Sequence, residues 1–105
     1  MKSITILGTV LPIVRMPLVD SEGEHHSNEG LLAISDLVAE HRVWEVVSHE
    51  TFHAVEHAVD IPRRLQVELG LDEAMVEKIR EVYAGTVLPV YLDTLERAGL
   101  LRRPT

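Results

Sequence analysis

Two histidines four residues apart, His49 and His53, with Glu50 directly after the first, are the residues of this chain most suited to chemistry. On a helix, four residues make slightly more than one turn, so both rings leave the same face. Two imidazole nitrogens placed this way can each reach one Zn²⁺ at about 2.0–2.1 Å. Glu50 sits one step round, beside such an ion rather than on it, where its carboxylate can take a proton from an attacking water. That is general-base chemistry for hydrolysis. Thr51 and Phe52 between the histidines are uncharged, and neither Pro nor Gly occurs from Asp36 to Val59. Burying two imidazoles and a carboxylate on one helix with nothing to bind would leave costly unpaired polar groups.

A catalytic zinc site needs a third protein ligand and one open position. Glu73 is the preferred candidate: the separation 73 − 53 = 20 leaves room for a loop and the return of a second helix. Glu77 follows on the same face, placed to hydrogen-bond a zinc-bound histidine or to act as the ligand itself. The pair His57 and Glu56 on the motif helix is a further candidate. A straight helix carries His57 about 6 Å along the axis from His53, too far for three successive turns to converge on one ion.

These residues need elements to hold them. Ser3 to Leu7 and Leu11 to Leu18 read as extended segments, and Pro12 and Pro17 confine the second to an edge or an irregular strand. Asp20 to Gly30 is polar and reads as a loop. Leu31 to Ile34 is a short apolar run, a strand that could offer its edge to an extended peptide. A helix is expected from about Asp36, capped by Ser35 or Asp36, to Val59, with Leu37, His41, Trp44, Val47 and Val55 on one face. Trp44 and Phe52 are expected to pack it onto the sheet. Ile61-Pro62 should end it, and Arg63 to Gly70 has room for a turn or two more. Asp72 should cap a second long helix through Val76, Ile79, Tyr83, Val87 and Val90, kinked or divided at Pro89 and stopped at Gly99. Strands first and helices after define an α+β fold in one domain, residues 1–105.

The net charge of −7 speaks against nucleic acid as the main partner. With no cysteine, thiolate metal sites and disulfides are excluded. No apolar run reaches the roughly 18 to 20 residues of a membrane span, and no leader peptide is evident, so a cytoplasmic location is expected.

HETFH followed by the Glu73 and Glu77 spacing resembles the gluzincin branch of zinc metallopeptidases, whose third ligand is a helical glutamate. The order MKSITILGTVLPIVRMP, LLAIS, VVSHETFHAVEHA, LDEAMVEKIREVY also looks like small phage- and prophage-type HExxH proteins related in pattern to the ImmA/IrrE peptidases. The resemblance implies a minimal zincin-like fold: a short N-terminal β-sheet, an HExxH active-site helix and a C-terminal glutamate helix. It implies His49, His53 and Glu73 as zinc ligands, Glu50 as general base, and a peptide or protein as substrate. No Tyr or His is obviously placed to stabilise the oxyanion, with Tyr83 the nearest candidate. A chain this small has little room for a deep cleft, so a second copy, in a homo-oligomer, is a candidate for completing one. Two rival readings stay open: a zinc-binding regulatory or structural domain without peptidase activity, and a metal-free helical interaction module.

Overall fold

Leu7 and Gly8 both adopt positive φ, at 48° and 82°. This is the geometry of the tight two-residue turn that matches strand twist. It joins β1 (Ser3–Ile6) to β2 (Thr9–Met16) in an antiparallel hairpin. A second antiparallel hairpin joins β3 (Gly23–His26) to β4 (Leu31–Ser35). Its four-residue loop closes through Gly30, whose N–H donates to the His26 carbonyl at 2.9 Å. The hairpins meet where β2 pairs parallel with β4, giving the strand order β1-β2-β4-β3. The computed structural model describes residues 2–103.

The sheet corrects three expectations. β2 is an inner strand despite Pro12. Ile13 N–H donates to the Lys2 carbonyl, so by alternation Pro12 faces Ser3 as a non-hydrogen-bonded pair. Its missing N–H therefore points to the side on which β4 begins pairing only at Ile13. Asp20 to Gly30 is not all loop, because Gly23–His26 forms β3. Four residues without β-branched side chains carry no strand signature, and backbone pairing with β4 alone makes them one. Consequently β4 is central rather than an edge, and Leu32, Ala33 and Ile34 are wholly buried. A continuous apolar run is what a strand covered on both sides requires.

Helix α1 spans Val43–Ala58 and is preceded by a 3₁₀ turn, Glu40–Arg42. The expected start at Asp36 is overturned: Ser35 Oγ instead accepts from Leu37 N–H at 3.2 Å, turning the chain before the helix begins. Leu37 is accordingly 90% exposed, and His41 and Val55 are exposed too. The packing face comes from short side chains. Val46 and Val47 join Ile34 and Val38, with Val43 and Ile13 against them. Ala54 meets Leu11 and Leu32. Trp44 and Phe52 are only half-buried.

The chain divides into two compact units, residues 1–55 and 56–105, with the boundary inside α1. In the second, Asp60 takes the left-handed conformation and α2 (Ile61–Leu69) follows, with Pro62 in its first turn. α1 thus ends ahead of Ile61-Pro62 as expected, and Pro62 also opens the next helix, where its missing N–H costs nothing. Gly70 closes α2 in the left-handed conformation. Asp72 caps α3 (Glu73–Val82) by accepting from Met75 N–H at 2.8 Å. Pro89 is accommodated by a π turn over Tyr83–Val87 before α4 (Leu88–Arg97). α4 ends as expected at Gly99: Gly99 N–H reaches the Glu96 carbonyl and Leu100 N–H the Leu95 carbonyl, a left-handed glycine stop.

Candidate metal site

The packing of Val46, Val47 and Ala54 on the sheet decides which way the rest of α1 faces. At 100° per residue, His49 and His53 fall on the flank of that buried stripe, so neither is fully solvated. His53 is buried at 9% exposure and His49 is half-buried. Their Nε2 atoms are 3.2 Å apart, with ring centroids 4.8 Å apart and planes at 77°. Two nitrogens each about 2.05 Å from one tetrahedral ion stand about 3.3 Å apart. The observed separation fits that arrangement, and equally a hydrogen bond between neutral imidazoles of complementary tautomers.

Glu50 is half-buried between α1 and the start of β3. A Cβ on Gly23 would stand 2.8 Å from Glu50 Cγ and 2.7 Å from Val46 Cγ1. Just before it, the Glu22 carboxylate holds the Arg42 guanidinium, which also lies 3.7 Å from Glu45. Glu22 is held below its ordinary carboxylate range, first by that hydrogen bond.

His49 and His53 could thus offer two nitrogens to one metal ion. Glu81 lies on α3 in a series at four-residue steps with Glu73 and Glu77. Glu73, expected as the third ligand, is the exposed first residue of α3. Glu77 is exposed and accepts from Arg80 Nη1 at 3.0 Å. On α1 itself, Glu56 is buried and accepts from Arg80 Nε at 3.3 Å, and His57 is exposed. A guanidinium already bridging two carboxylates explains why Glu56 can be buried at all. Tyr83 is half-exposed in the π turn.

His25 and His26 lie on β3. His26 stands between two carboxylates, Nε2 2.8 Å from Glu24 and Nδ1 3.0 Å from Glu29. The Glu24 contact is the main cause that raises its pKa, and Ser21 Oγ donates to Glu24 at 2.7 Å. Both ring nitrogens are therefore engaged within the hairpin.

No protein-family model, curated protein or solved structure matches the chain. No helix among the described residues is long and apolar enough to cross a membrane.

Proposed function

We propose that the chain is a zinc-dependent peptidase whose metal is held by His49, His53 and a glutamate of α3. The observation that carries this reading is the 3.2 Å approach of the two Nε2 atoms, with Glu50 on the same turn of helix. Bound there, zinc would polarise a scissile carbonyl and make water a nucleophile near neutral pH. Glu50 accepts the proton of the attacking water and passes it to the leaving amine, which must be protonated to depart. An extended peptide finds its backbone partners on β3, because β3 rather than β4 is the open strand of the sheet beside α1.

Glu73 is the glutamate we assign as third ligand, with Glu77 as the alternative. The deciding experiment is zinc content of purified Glu73→Ala, Glu77→Ala and Glu81→Gln. Loss of zinc is expected in Glu73→Ala, and the other two should bind as wild type. Loss of zinc in Glu77→Ala or Glu81→Gln alone would move the role to that residue.

A further inference from the structure

Gly23 occupies a position whose backbone needs no glycine: it pairs with Ile34 in ordinary β3–β4 register, and its φ lies outside the left-handed region. The need for glycine is therefore one of room. An added Cβ would meet Val46 Cγ1 at 2.7 Å, Glu50 Cγ at 2.8 Å and the Ala33 carbonyl at 3.4 Å. The first two distances are closer than carbon atoms approach without something moving. Ala33 is backbone in the central strand and Val46 is core, so the contact at Glu50 Cγ is the one through which a shift reaches a carboxylate. That Cγ is one bond from the carboxylate, and pushing one moves the other.

A second tie acts at the same end of β3. Glu22 holds Arg42, and its carbonyl accepts from Ser35 N–H at 2.8 Å. Arg42, Val46 and Glu50 recur every four residues, so they line one edge of the turn and helix that the start of β3 runs against. The strand is thus fixed by Glu22 to Arg42 and seated at Gly23 on Val46 and Glu50.

We infer that Gly23, seated by the Glu22–Arg42 pair, is a positioning residue that sets where the Glu50 carboxylate stands beside His49 and His53. This rests on the metal site proposed above. Gly23→Ala should leave metal binding intact while displacing the carboxylate, and misplacement of a reacting group by about 1 Å costs on the order of a hundredfold in rate.

The test loads wild type, Glu50→Gln, Gly23→Ala and Glu22→Gln with cobalt(II) and follows the visible absorption against pH. The expected result is one cobalt per chain in all four. The pH-dependent transition of Gly23→Ala should move more than half of the way from wild type to Glu50→Gln, and that of Glu22→Gln a smaller distance in the same direction. A cobalt-loaded Gly23→Ala with the wild-type transition overturns the inference and leaves the metal site standing. Should Gly23→Ala not fold, Glu22→Gln decides alone, because its exposed side chain gives up only the Arg42 tie; an unmoved transition then overturns the inference. Failure of every variant to bind cobalt removes the metal site and this role with it.

Discussion

Glu50 and the two histidines share one helical turn but take different tasks in the proposed site, and substitution should separate them. Glu50→Gln keeps the size of the side chain and removes its basicity. It is expected to retain zinc and to lose about 10²- to 10⁴-fold in turnover of a quenched fluorescent peptide library. Retained turnover would take Glu50 out of the mechanism. At this scale the sequence was most informative, since a four-residue spacing on a helix is itself a geometry and the Nε2 pair meets as that geometry requires. The proposed third ligand was less legible, because Glu73, Glu77 and Glu81 follow one another at four-residue steps and spacing alone does not choose among them. Gly23 was invisible in the same way, because a glycine required for room has no local signature.

Among the elements, β3 makes the clearest prediction. Its His26 has a raised pKa, owing first to Glu24, and Glu24 has a lowered one, owing first to His26. A raised histidine contributes stability that is full below its unfolded value of 6.5 and lost as pH rises through the folded value. A lowered carboxylate contributes stability that is full above its unfolded value of 4.5 and lost as pH falls through the folded value. The triad should therefore stabilise the hairpin most between those two unfolded values. The melting difference between wild type and His26→Gln should be larger at about pH 5.5 than at about pH 8.5. Equal differences at both would show that the triad does not hold the strand. The same element shows why strands were harder to read than helices. Helix α3 announced itself through Asp72 at its cap and α4 through Gly99 at its end, both local chemistry. β3 exists because β4 offers a free edge, which no window of eleven residues contains. The start of α1 failed for a related reason, since Ser35 spends its hydroxyl on Leu37 N–H and the helix waits until Val43.

Few of the described side chains are fully buried. Among the described residues of the second unit the buried ones are Glu56, Val76 and Ala84, whereas Val67, Val90 and Leu100 are 72%, 64% and 76% exposed. A fold with so little core gains proportionally from any ligand bound only by the native state. Free zinc at a hundred times its dissociation constant would add about 2.7 kcal/mol, and chelation should lower the melting temperature by on the order of 10 °C. An unchanged melt in chelator would favour a metal-free helical module. The α+β class, strands first and helices after, was evident from chain order alone; the parallel β2–β4 pairing that joins the two hairpins was not, because it is set by contacts between distant segments.

Zinc content of the purified wild type, His49→Ala and Glu50→Gln tests the central claim most directly. One zinc per chain in wild type and Glu50→Gln, and none in His49→Ala, is the predicted result. Identical metal content in all three, whether present or absent, would contradict it: the 3.2 Å pair would then be a hydrogen bond between two imidazoles and no more.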